Sequence, residues 1–158
     1  MSPDPQKTPT EPVSATIATK HFGKIAVRED QIITFSPGLL GFTDFHRFIL
    51  IEHGQDSPFL WLQCVDKSDL AFVVIDPLFV LPDYQIGPIN GVRQDLGIQN
   101  LQDLKVLVIL TIPPGRPQEM TANLMGPLLI NLANRRGKQL VLESSPYSHK
   151  HPVLPAKA

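Results

Sequence analysis

Side chains able to do chemistry are few and scattered along this sequence. The 158 residues include one cysteine and five histidines, His21, His46, His53, His149 and His151. Cys64 lies inside an apolar stretch where a thiolate would be costly, so it reads as a buried structural thiol rather than a nucleophile. A lone cysteine also makes no internal disulfide and offers no second thiol for a shared zinc ion. No Gly-x-Ser-x-Gly elbow, phosphate-binding loop or Gly-x-Gly-x-x-Gly fingerprint occurs, and Gly38-Leu-Leu-Gly41 is only a glycine-flanked turn. His149 and His151 have a two-residue spacing that places both imidazoles on one strand face, but a zinc site needs a third protein ligand and none is local. A hydrolase built on these histidines and an aspartate is therefore the third-ranked reading. Asp66, Asp69 and Asp76 flank the apolar run at 70–75 and fall at its two ends, which argues against a shared-proton dyad or a glycosidase pair. The expectation is a protein without enzymatic activity, cofactor or metal.

A different feature stands out. Asp76-Pro-Leu-Phe-Val-Leu-Pro-Asp-Tyr84 is an apolar stretch between two prolines that follows a core strand and cannot easily continue it. Apolar and aromatic anchors ringed by carboxylates suit protein docking, because aromatics dominate interface energy while peripheral charge sets encounter rate and specificity. The candidate partner-binding residues are Leu78, Phe79, Leu81 and Tyr84, with Asp66, Asp69, Asp76 and Asp83 as an acidic rim; the alternative reading of the stretch is an edge strand that packs its apolar side inward. Charge distribution alone reads first as solvated Asp-rich turns, and as a face that steers a basic partner if the acidic segment gathers on one side. Net charge is −1, yet residues 29–104 hold eleven Asp/Glu against three Lys/Arg, while residues 105–158 hold two against seven. Arg135, Arg136 and Lys138 form the one basic cluster, and an RNA-binding barrel module using it is the alternative reading.

The elements that must carry these residues are short. Sixteen prolines in 158 residues make long helices unlikely to form, and 42% apolar with 18% charged residues is enough to bury a core. Residues 1–15 hold four prolines among polar residues and read as a flexible tail ahead of one domain at 16–154. Strand-length apolar runs follow at 24–27, 32–35, 48–51, 59–65, 70–75, 106–112, 120–124, 128–132 and 139–142, cut by turn residues. Residues 134–138 are read as a hairpin turn pairing 128–132 with 139–142, with asparagine and glycine supplying the left-handed positions. Only 43–48 and 92–104 resemble helix, the latter with Asn100 as an N-cap for a turn containing Asp103. The class is all-β, mainly antiparallel: a small barrel-like domain with one or two short helices. No apolar run approaches the roughly 20 residues that span a bilayer, and no signal-peptide core precedes the domain, so a cytoplasmic, monomeric protein without direct nucleic-acid or membrane contact is expected.

Several stretches, in order, resemble the flagellar assembly factor FliW family. They are Thr19-Lys-His-Phe-Gly with Ile32-Ile-Thr-Phe; Pro37-Gly-Leu-Leu-Gly-Phe-Thr-Asp-Phe with Arg47-Phe; Asp56-Ser-Pro-Phe-Leu-Trp-Leu-Gln; and Asp69-Leu-Ala-Phe-Val-Val-Ile-Asp-Pro-Leu. Thr121-Ala-Asn-Leu, Gly126-Pro, Ile130-Asn, Gly137-Lys-Gln, Tyr147 and His151-Pro complete the set, which runs from Thr19 to Val153. The resemblance implies a small β-barrel-like fold and a regulator rather than an enzyme. It implies two protein partners, newly made flagellin and the RNA-binding translational repressor CsrA, the second bound and allosterically antagonised once flagellin is exported. Met125, Gly126 and Ser148-His149-Lys150 depart from the family pattern.

Overall fold

The computed structural model describes residues 13–154 except His53, Gln55 and Ser144, and gives no side-chain account of residues 13–15 and 90. Its centre is a closed barrel of seven strands. Strands β3 (Ile33–Phe35), β4 (Arg47–Glu52), β5 (Leu60–Cys64), β6 (Ala71–Ile75) and β7 (Leu104–Thr111) run as an antiparallel meander. Strands β9 (Leu128–Asn131) and β10 (Arg136–Gln139) form a hairpin that closes the ring. β10 pairs parallel to β3, and β9 pairs antiparallel to β7 from Leu104↔Asn131 to Leu107↔Leu128. Closure leaves no free edge among these seven strands, which removes the template for edge-to-edge association.

Side-chain alternation then sends every second residue inward. Phe48, Leu62, Cys64, Val74, Leu107, Leu128 and Ile130 meet Ile33 and Phe35 in the barrel interior. Their sequence neighbours point outward and are covered by three separate layers. Strands β1 (Val13–Thr19) and β2 (Gly23–Arg28) form a hairpin whose Ile17 and Val27 pack on Ile49 of β4. The chain after β6 lays Tyr84 on Ile75, Val108 and Leu110, joined by Ala122 and Leu124 from the segment that includes β8 (Thr121–Ala122). The short helix α1 (Asn90–Leu96) brings Leu96 and Ile98 onto Leu129. Covering on both faces explains why these strands read as nearly continuous apolar runs instead of alternating ones.

The barrel, the mainly antiparallel pairing and the short helix agree with the expected class, while four local expectations are corrected. Residues 43–48 form no helix: turn bonds from Phe42 N to Leu39 O and Phe45 N to Phe42 O shape the approach, and Phe48 is taken into β4 opposite Ile33. Cross-strand burial of Phe48 outweighs a six-residue helical tendency. The helix read at 92–104 starts at Asn90 and stops at Leu96, because Gly97 takes the left-handed conformation (φ 66°) that ends a helix. Asn100 caps a turn containing Asp103, as expected: a separate 3-10 turn at Leu101–Asp103, with the Asn100 side chain accepting from Gln102 N at 2.9 Å.

The hairpin is also shifted. β10 begins at Arg136, inside the stretch read as turn, and pairs Arg136↔Asn131 through Gln139↔Leu128. Its left-handed residue is Arg135 (φ 61°), while Gly137 lies in the strand for a steric reason: a Cβ there would sit 2.6 Å from the Phe35 ring. Finally, β1 begins at Val13, within the stretch read as tail; the rest of that stretch, residues 1–12, lies outside the described residues.

Candidate protein-docking surface

Pro77 ends β6 by removing a ladder donor, and the chain turns at once into a 3-10 helix at Pro77–Phe79. Asp76 caps this turn, its carboxylate accepting from Leu78 N at 2.9 Å. Phe79 N donates to Asp76 O at 3.0 Å, and Val80 N and Leu81 N both donate to Pro77 O at 2.9 Å. The turn buries Pro77 and presents the next two side chains to solvent: Leu78 is 53% exposed and Phe79 68%. Beside them opens an apolar cleft of about 260 Å³ between Pro77, Leu78, Tyr84 and Ile86 on one side and Leu104 and Val106 of β7 on the other.

Tyr84 plays a different part from the one expected of it. It is only 7% exposed, its hydroxyl donates to Leu124 O at 2.6 Å, and its ring lies 4.5 Å from that of Tyr147. The Tyr147 hydroxyl in turn accepts from Gln85 N at 2.9 Å. Tyr84 is thus the anchor that holds the Asp76–Tyr84 segment on the barrel, and of the apolar candidates Leu78 and Phe79 are the exposed ones, with Leu81 half-buried. Burial, helped by the nearby Tyr147 phenol, pushes the Tyr84 phenol well above its ordinary value near 10.

That shift sets a testable pH dependence. Below pH 10 the phenol keeps its proton folded or unfolded, so stability is unaffected; above pH 10 the unfolded chain releases the proton that the fold retains, and stability falls. Tyr84→Phe removes this alkaline loss, and at neutral pH it costs about 1 kcal/mol because Leu124 O loses its donor. Denaturant midpoints across pH 8–11 check both signs, with phenolate absorbance reporting ionisation of Tyr84 only as the chain unfolds.

The acidic residues divide into two groups. Asp66 forms a two-pronged pair with Arg47, Nε to Oδ2 at 3.1 Å and Nη2 to Oδ1, which raises the Arg47 pKa. Asp69 pairs with Lys67 at 3.2 Å, which lowers its carboxyl below the usual range. Both lie at the β5–β6 turn, the full length of β6 and roughly 20 Å of strand away from Asp76. Only Asp76 and the exposed Asp83 flank the Leu78–Phe79 turn, and neither makes an ion pair among the described residues.

The basic cluster is divided as well. Arg136 Nη2 donates to Asp95 O at the end of α1, and Lys138 Nζ pairs with Asp95 Oδ2 at 2.8 Å. These cations complete the negative pole of the helix, together with Asn131 and Asn134, whose amides both donate to Leu96 O at 2.9 Å. Arg135 points to a different cleft, so the three residues make no common phosphate-binding face. His151 lies in β11 (His151–Pro152) opposite Ala122, and His149 is exposed. Cys64 is fully buried in the barrel, and desolvation raises its thiol pKa.

A family model described as FliW protein matches residues 16–154. The chain belongs to the FliW family. Proteins named flagellar assembly factor FliW are 43% identical in Natranaerobius thermophilus, over 87% of this chain and 91% of that one, and 38% identical in Bacillus subtilis, over 87% and 95%. A crystal structure of the flagellar assembly factor FliW superposes with a TM-score of 0.84 at 36% identity, covering 91% of this chain and all of that one. Membership makes the barrel with its three covering layers the FliW architecture. Among the described residues, no helix is long and apolar enough to cross a membrane.

Sequence reasoning missed two features of this FliW chain. The amide-capped end of α1 was hidden because Asp95 and Lys138 are distant in sequence. The well at the barrel mouth, described below, was signalled only by Lys105, a charged residue in phase with the inward Leu107 and Ile109.

Proposed function

We propose that this protein is a non-enzymatic regulator of flagellar assembly that works in the cytoplasm as a monomer by docking other proteins. It binds newly made flagellin, and when flagellin is exported it binds CsrA and allosterically antagonises its hold on RNA, coupling flagellin synthesis to export. The observation that carries the docking part of the reading is the capped turn after β6, which holds Leu78 and Phe79 out of a core that buries their neighbours. A rigid apolar anchor costs little conformational entropy on binding, and the adjoining cleft offers a partner side chain somewhere to enter. Unpaired Asp76 and Asp83 favour a basic partner, which fits an RNA-binding protein. The identity of the two partners rests on the family resemblance. Size-exclusion chromatography of the purified chain with CsrA and, separately, with flagellin is expected to show co-elution in each case. A folded chain that co-elutes with neither overturns the reading.

A further inference from the structure

The barrel interior is filled along its length by Phe35, Phe48, Leu62, Leu107, Leu128 and Ile130, all essentially inaccessible, but one end is open. There the inward-facing phase of the strands continues past the packed layers. Leu50 and Leu60, which pack against the interior cluster, form a floor, and Glu52 and Lys105 follow in the same phase on β4 and β7. Gln31 ahead of β3, with Leu132 and Arg135 from the β9–β10 turn, completes a well of about 310 Å³, at the lower end of the size of small-molecule sites, and barrel mouths are a common place for them. Charge inside the strand-facing surface of a barrel is unusual, and here it is not neutralised internally: among the described residues Lys105, Arg135 and Glu52 make no ion pair within 4.0 Å.

The backbone adds an independent sign. Arg135 holds φ 61°, a region that side chains other than glycine and asparagine adopt at a cost, although Asn134 stands next to it. In this conformation Arg135 lines the well, while Arg136 lines the opposite cleft and donates to Asp95 O.

We infer that the barrel mouth binds a small amphipathic anion, a carboxylate or phosphate ester with a short apolar body. Lys105 and Arg135 take the anionic head, and Leu50, Leu60 and Leu132 take the body. Glu52 sets the other wall and favours a head group carrying a single negative charge, as a carboxylate or a singly protonated phosphate ester does. This site is separate from the docking surface and does not depend on the proposed partners.

Two variants isolate the head group while keeping the fold. Lys105→Met retains the aliphatic stem, and Arg135→Gly removes the guanidinium at a position whose φ suits glycine. Hexanoate and hexyl phosphate are titrated into isotopically labelled protein, with backbone amide shifts as readout and hexanol and inorganic phosphate as half-ligands. The expected result is saturable shifts at Leu50, Glu52, Leu60, Lys105 and Arg135 below about 10 mM, with each variant weakening binding about tenfold. The stronger of the two ligands identifies the head group. Absence of saturation by both, equal binding of hexanol or of inorganic phosphate, or undiminished shifts in the double variant overturns the inference.

Discussion

Leu78→Ala combined with Phe79→Ala is expected to weaken binding of both flagellin and CsrA by about a hundredfold or more, with the unfolding midpoint essentially unchanged. Both side chains are more than half exposed, so the free protein loses little burial when they are truncated. Central apolar anchors each contribute about 2 kcal/mol or more when they fill a partner's pocket, and about 1.4 kcal/mol corresponds to a tenfold change in affinity. The pair is preferable to any variant of Tyr84. Truncating Tyr84 removes a buried ring and the donor to Leu124 O, so lost binding would report lost folding. Titration calorimetry of the double variant against each partner, beside its denaturation curve, separates the two effects. Wild-type affinity for both partners in a folded variant removes this surface from the account.

Gly137→Ala is expected to destabilise the barrel by about 2 kcal/mol, a fall in melting temperature of roughly 4–8 °C for a chain of this size. An added Cβ would lie 2.6 Å from one Phe35 ring carbon and 2.9 Å from another, and both residues are fully buried with no room to part. Gly137 and Phe35 are also register partners where β10 joins β3, the single parallel pairing of the barrel, so a shift of either strand disturbs closure. Phe35→Leu should relieve the clash. The double variant Gly137→Ala with Phe35→Leu is expected to be more stable than the two single losses added together predict, by about 1 kcal/mol. Strict additivity would show that the ring contact is not what requires glycine.

Reading the sequence alone reached the barrel because its signals were local. Short apolar runs bounded by Ser36-Pro37-Gly38, Asp76-Pro77 and Pro113-Pro114-Gly115 each mark a strand end through the backbone chemistry of proline and glycine. Errors arose where a distant contact outweighed a local preference. Gly137 looks like a turn residue until Phe35, about a hundred positions earlier, is placed against it, and the left-handed position passes to Arg135. Phe48 looks helical until Ile33 lies opposite.

The candidate docking surface shows the same division. Asp76-Pro77 announces that the chain must leave the sheet, and Leu78 and Phe79 are indeed presented outward. Tyr84 could not be assigned, because its burial depends on Leu124 and Tyr147. That Asp66 and Asp69 lie at one end of the 70–75 run and Asp76 at the other was legible in the sequence, but their pairing with Arg47 and Lys67, which takes them out of the rim, was not. The basic cluster was legible as a composition and illegible as a surface, since Arg136 and Lys138 share one face of β10 while Arg135, in the left-handed turn before it, lines another cleft.

The most direct test of the account follows labelled RNA held by CsrA as this protein, and then flagellin, is added in a single fluorescence-anisotropy titration. The protein is expected to release RNA from CsrA, and flagellin, by taking the protein away, to restore the RNA complex. RNA that stays bound at saturating protein, or release that flagellin does not reverse, would contradict it.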